Sequence, residues 1–180
     1  MNGEETRDLV SIWLMEAGLE SLDENGRACL EHDDKLDCLV EVPQEGGRFV
    51  LTAPFFFLDV ASMSQVAEAA LTSNMHQTET RGGTLALDGG TQLLVFTIGF
   101  PCAELSYPDF ANILSNFMET ALLLKDKLEL VGKNADEGAS AGDNLLAPGG
   151  NPYLPESGDA PKANAGSESA LASYVLLNRV

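Results

Sequence analysis

Positive charge is scarce in this chain. Its 180 residues carry 10 Lys and Arg against 28 Asp and Glu, a formal charge of −18. Nucleic-acid binders need a basic face to displace counterions from phosphate, so this balance excludes most of them. The same sign argues against an anionic membrane surface. Long apolar runs are also missing. The longest uncharged stretch, Gly89 to Ala103, contains Gly and Pro and falls short of the ~18 residues of a membrane helix. The opening MNGEETRD has neither the basic region nor the apolar run of a secretory signal. The expectation is a soluble, cytoplasmic protein with no membrane and no nucleic-acid partner. Cysteine is sparse and odd in number: Cys29, Cys38 and Cys102 suit reduced, mostly buried thiols rather than a disulfide framework.

Histidine is rarer still, with only His32 and His76. A Ser or Cys triad would need one of them as base, and nothing in the sequence brings a nucleophile to either. Cys29, His32 and Cys38 raise the question of a metal. On a strand, residues 29 and 32 point to opposite faces and cannot converge on one tetrahedral ion without a bulge. The glycine pairs at 82–83 and 89–90 lack the lysine and spacing of a phosphate loop and read as turns. Glu31, Asp33, Asp34 and Asp37 lack the pattern of a calcium loop. The expectation is no enzyme, no cofactor and no metal, with a small hydrolase or metal protein using His32 and Cys29 as the remote alternative.

What the sequence does have is apolar periodicity. "RDLVSIWLMEAG" predicts a first helix, capped by Thr6 or Asp8 and stopped by Gly18. "RACLEH", "LDCLVEV" and "RFVLTA" are short alternating runs between turn residues and predict an antiparallel meander. A second helix covers "DVASMSQVAEAALTSNM". "GGTLALDGGTQLLVFTIGF" predicts a hairpin whose second arm is buried on both faces. "SYPDFANILSNFMETALLLKDKLEL" predicts a long last helix with Ser106 and Asp109 at its start and an inner stripe of Phe110, Ile113, Leu114, Phe117, Ala121, Leu124 and Leu128. The order is α-β-β-β-α-β-β-α, an α+β fold with helices packed on a twisted antiparallel sheet. Composition changes at Val131. Residues 1–131 form the domain, and 132–180, rich in Gly, Ala, Pro and Asn, are expected to be a flexible tail with a short helix near Leu171, Tyr174 and Val175.

"FVLTAPFFFLDV", residues 49–60, holds three consecutive phenylalanines. Strand alternation sends Phe55 and Phe57 to one side and Phe56 to the other. The expectation is Phe55 and Phe57 beneath the second helix, and Phe56 near a surface that meets another chain. The first helix, the first strands and this run carry more apolar positions than one sheet face absorbs, and apolar excess of this kind marks interaction surfaces.

The order and spacing of "AGLESLDENGRACLEHDD", "ALTSNM", "GGTLALDGGTQLLVF" and "DFANILSNFMETALLLKDKL" resemble class I type III secretion chaperones, the Tir-chaperone (CesT-like) family. The resemblance covers about residues 5 to 130. It implies an acidic cytoplasmic bacterial homodimer with no catalytic activity. It also implies binding of the unfolded N-terminal segment of a secreted effector, with the secretion ATPase as a further partner. By the resemblance, Met63, Val66, Ala70, Leu71, Leu85 and Leu87 fall at the dimer interface, and Ile12, Trp13, Leu39, Phe49, Val50 and Phe56 at the client surface. A regulator of the same fold, binding a transcription factor or an apparatus protein, is the alternative. The apolar tail end, Leu171 to Leu177, is a candidate to occupy the empty client groove.

Overall fold

The computed structural model describes residues 1–32, 35–60 and 62–141. Three helices and five strands follow the expected order: α1 (Gly3–Glu16), β1 (Arg27–His32), β2 (Leu36–Glu41), β3 (Arg48–Phe57), α2 (Met63–His76), β4 (Thr84–Asp88), β5 (Leu93–Pro101) and α3 (Tyr107–Ala141). The strands form one sheet in the order β1-β2-β3-β5-β4, every neighbour antiparallel. β1 and β4 are therefore the edges.

The first helix starts earlier than "RDLVSIWLMEAG" suggests. Asn2 is its cap: the Asn2 side chain accepts from the Glu5 amide, and the Glu5 carboxylate accepts from the Asn2 amide, both at 2.9 Å. Thr6 is not a cap but a buried bracket. Its hydroxyl donates to the Asn2 carbonyl (2.7 Å) and accepts from the Gly47 amide (2.9 Å), tying α1 to the β2–β3 turn. Gly46 in that turn has φ +71°, and an added Cβ would stand 2.5 Å from the Asn2 backbone. Gly18 ends the helix as expected, in the left-handed region, with its amide on Met15 and the Leu19 amide on Leu14.

All three helices share one face of the sheet. Val10, Trp13 and Leu14 from α1, Val66 and Ala70 from α2, and Phe110, Phe117, Ala121, Leu124 and Leu128 from α3 form a single core with Cys38, Val40, Phe49, Leu51, Ala53, Phe55 and Phe96 of the sheet. Aromatic rings run through it. Phe110 lies 5.4 Å from both Trp13 and Phe49, and Phe96 stacks on Phe117 at 5.2 Å.

Two expectations need correction. The last helix does not close at the change of composition but continues past Val131 to Ala141. Gly132 and Ala135 look like tail residues by composition, yet they belong to a helix–helix contact. A Cβ on Gly132 would lie 3.6 Å from Val66, and Ala135 is buried. Small residues there let α3 pass close over the start of α2. The candidate helix near Leu171, Tyr174 and Val175, and the rest of 142–180, lie outside the described residues.

The second correction concerns the three phenylalanines. Pro54 pairs with Val95 and Phe57 with Leu93, so a bulge leaves Phe55 and Phe56 together opposite Leu94. Phe55 is buried and stacks over Phe96, and Phe56 packs half-buried against the same core. Phe57 then emerges on the opposite face, 49% exposed. One extra residue in the strand thus exchanges the roles expected of Phe56 and Phe57.

Candidate functional site

The thiols do not build a centre. Cys29 pairs with Leu39 and Cys38 with Leu30, so the two point to opposite faces of the β1–β2 ribbon. Cys38 is buried in the core, and burial raises its pKa well above the ordinary thiol value. Cys29 is exposed, but partial desolvation and then Asp23 and Asp37 raise its pKa too. Both therefore stay protonated and weakly nucleophilic near neutrality. His32 pairs through its backbone with Leu36 at the end of β1. Among the described residues, no group of three or more His, Cys, Asp or Glu side chains could hold a metal ion. No helix among them is long and apolar enough to cross a membrane.

The apolar surface is more informative. The candidate client residues divide sharply. Ile12 is 49% exposed, and Met15, one helical turn further on, is exposed beside it. Val50 is half-buried on the sheet face away from the helices, and Phe56 is half-buried against the core. Trp13, Leu39 and Phe49 are buried, and Trp13 and Phe49 belong to the core built around Phe110. Consecutive apolar residues on α1 disguise this division. Trp13 faces the sheet, and Ile12 and Met15 do not.

A second apolar area lies on α2 and β4. Leu71 and Met75, four residues apart on one helix face, are 68% and 72% exposed, and Leu87 on β4 is 42% exposed. Of the other residues expected at a dimer interface, Val66, Ala70 and Leu85 are buried within the protomer, and Met63 is half-buried. Helical periodicity finds the stripe Ala67–Leu71, but only the packing shows that Met75 extends it and that Val66 turns inward.

This area has a rigid base. The Asn74 side chain donates to the Leu85 carbonyl and accepts from the Leu85 amide, both at 2.8 Å. Asn74 thereby occupies backbone groups on the free edge of β4, which would otherwise be open to strand pairing. Beyond the helix, Glu79 accepts from Ser73 (2.7 Å) and from Lys127 (2.6 Å), which ties the end of α2 to α3. At β1, the other edge, the Asp23 carboxylate accepts from the Arg27 amide at the first residue (2.8 Å), and among the described residues no side chain bonds the backbone from Ala28 to Glu31.

The sheet face turned away from the helices is more polar at its centre. Leu39, Thr52 and Thr97 lie in one row, and the Thr52 and Thr97 hydroxyls hydrogen-bond at 3.1 Å. Phe57 and Val50 are large apolar residues that this face leaves open or half-open.

The model of the Tir chaperone protein (CesT) family matches residues 16–125, most of the chain from the end of α1 into α3. The chain belongs to that family. No curated protein matches it. Among solved structures, the ExsC–ExsE complex is similar at 22% identity and TM-score 0.58, over 71% of this chain and 97% of that one. A chain of the heterodimeric ExoU–SpcU complex, from the type III secretion system of Pseudomonas aeruginosa, is similar at 14% identity and TM-score 0.53, over 68% and 96%. YbjN of E. coli, described as a candidate transcription regulator, is similar at 16% identity and TM-score 0.52, over 72% and 92%. At these identities the structures show the shared fold, and the family match supplies the chaperone class.

Proposed function

We propose that the protein is a class I type III secretion chaperone. In this reading it works in the bacterial cytosol as a homodimer and holds the N-terminal segment of a secreted effector unfolded for export. Family membership carries the proposal. The complexes that share the fold include ExoU–SpcU, from a type III secretion system, and this supports it.

The chemistry of the surface agrees. An unfolded client offers a backbone for strand pairing and alternate side chains for apolar pockets. Beyond Arg27, β1 is an edge whose backbone no side chain bonds from Ala28 to Glu31 among the described residues, and Ile12 and Met15 present apolar area on α1. The client surface is therefore assigned to Ile12 and Met15 with the β1 edge, and the buried Trp13 and Phe49 support it from beneath. Leu71, Met75 and Leu87 form the proposed two-fold contact. The −18 charge keeps a protein with such patches soluble.

The test is isolation of the chain from its native bacterium, with the mass of the complex measured. Two copies with one exported protein are expected, and capture should be lost when the N-terminal segment of that protein is deleted. Monomeric behaviour at micromolar concentration overturns the dimer. Capture that survives the deletion overturns the chaperone role.

A further inference from the structure

A cavity of about 280 Å³ opens between β5, the first half of α3 and the loop that joins α2 to β4. Phe96, Ile98 and Phe100 line it from β5, Ile113 and Phe117 with the polar Asn116 and Thr120 from α3, and Thr80 and Arg81 from the loop. The loop makes a tight turn. The Gly83 amide bonds the Thr80 carbonyl at 2.8 Å, with Arg81 and Gly82 both at positive φ. The turn is pressed onto β5, since a Cβ on Gly83 would stand 2.5 Å from the Phe96 ring.

Two polar groups of the Thr80–Arg81 turn have no hydrogen-bond or ion-pair partner among the described residues. Thr80 is 1% exposed, and its hydroxyl has no hydrogen-bond partner. The hydroxyl oxygen is closed off from the cavity as well as from solvent, so the turn carries a buried unpaired polar group. Arg81 is exposed and forms no ion pair among the described residues, although acidic side chains predominate in the chain. Arg27, Arg48, Lys127 and Lys133 each pair with a carboxylate of the chain. Arg81 is thus a cation held free at the mouth of an aromatic-lined hole.

We propose that this cavity receives one large apolar side chain of a bound polypeptide, with an adjacent carboxylate of that polypeptide paired to Arg81. The inference rests on the client-binding reading above and deepens it. In a protein of net charge −18, most of the surface repels an acidic segment. A free guanidinium beside an apolar hole reverses that locally. It selects an aromatic, leucine or methionine side chain next to Asp or Glu.

The experiment is an amide-resolved NMR titration of the full chain with two probes. N-acetyl-phenylalanine carries both the ring and the carboxylate, and N-acetyl-phenylalaninamide carries the ring alone. The acid is expected to shift the amides of 80–83 and 98–100 and to bind several-fold more tightly than the amide. Arg81→Gln should abolish that difference, and Ile113→Trp should fill the cavity and remove both responses. Thr80→Val should raise the melting temperature, because no bond is lost, and leave the preference for the acid probe unchanged. Equal affinity of the two probes, or shifts elsewhere on the chain, overturns the proposal. Capture of a polypeptide whose affinity is unchanged by Arg81→Gln overturns the cavity and leaves the chaperone role standing. Probe binding here by a chain that captures no polypeptide overturns the client as occupant, and the chaperone role with it.

Discussion

Asn74 and Leu85 are joined by two hydrogen bonds of 2.8 Å, the side-chain amide of one closing on the backbone of the other. A helix residue thus takes the place of a neighbouring strand at the β4 edge. Asn74→Ala should cost about 1–3 kcal/mol, because two partly buried backbone groups lose their partners together. Urea denaturation measures this. The same variant uncovers a strand edge and should aggregate faster on warming. Unchanged stability would mean that water replaces the amide without loss.

The burial of α2 separates two substitutions that sequence periodicity treats alike. Val66 is fully buried and Leu71 is 68% exposed. Val66→Asp places an unpaired charge in the core and should unfold the protomer. Leu71→Asp should leave the helical circular dichroism intact and convert the proposed dimer to monomer in light scattering. If Leu71→Asp remains a dimer at micromolar concentration, the two-fold contact lies elsewhere.

Gly83 packs against a ring rather than serving a turn alone. Its added Cβ would meet Phe96 at 2.5 Å, and Phe96 is held between Phe55 and Phe117. Those two rings limit its retreat to the side of the cavity that it lines. Gly83→Ala should therefore destabilise the fold by about 1–3 kcal/mol, the usual cost of overpacking. Gly90→Ala is the control, because its nearest neighbour is the Asp88 carboxylate at 3.5 Å. Equal denaturation midpoints for the two variants would refute the packing argument.

The order of elements was legible from periodicity and turn residues, because each strand and helix repeats its own spacing. What escaped were features set by one residue or by tertiary contact. The extra residue in "PFFF" shifts register without changing composition, so alternation assigned Phe56 and Phe57 to the wrong sides. Gly132 resembles the polar tail that follows it, and only its approach to Val66 explains why helix continues there. Asn2 precedes a helix whose apolar pattern begins at Leu9, so Thr6 and Asp8 drew attention as caps. The candidate site was less legible than the fold. Trp13 and Ile12 are adjacent letters, and only packing against Phe110 decides which is core and which is surface.

Acid should weaken two local structures in a predictable sense. The Ser106 hydroxyl and then the Ser106 amide hold the Asp109 carboxyl below its ordinary value of 3.8, at the start of α3. The Thr91 hydroxyl and then the Gly90 amide do the same for Asp88 in the β4–β5 turn. A carboxyl depressed in the folded state binds fewer protons there than in the unfolded chain. Its contribution is complete above the unfolded value and disappears as pH falls through the folded one. Asp109→Asn should therefore lower the melting temperature at pH 7. The gap between variant and parent should narrow as pH drops below 3.8, the ordinary value. Asp88→Asn should behave in the same way, by melting curves taken between pH 2 and pH 7. A gap that stays constant across that range would show that these carboxylates stabilise their turns by shape rather than by charge.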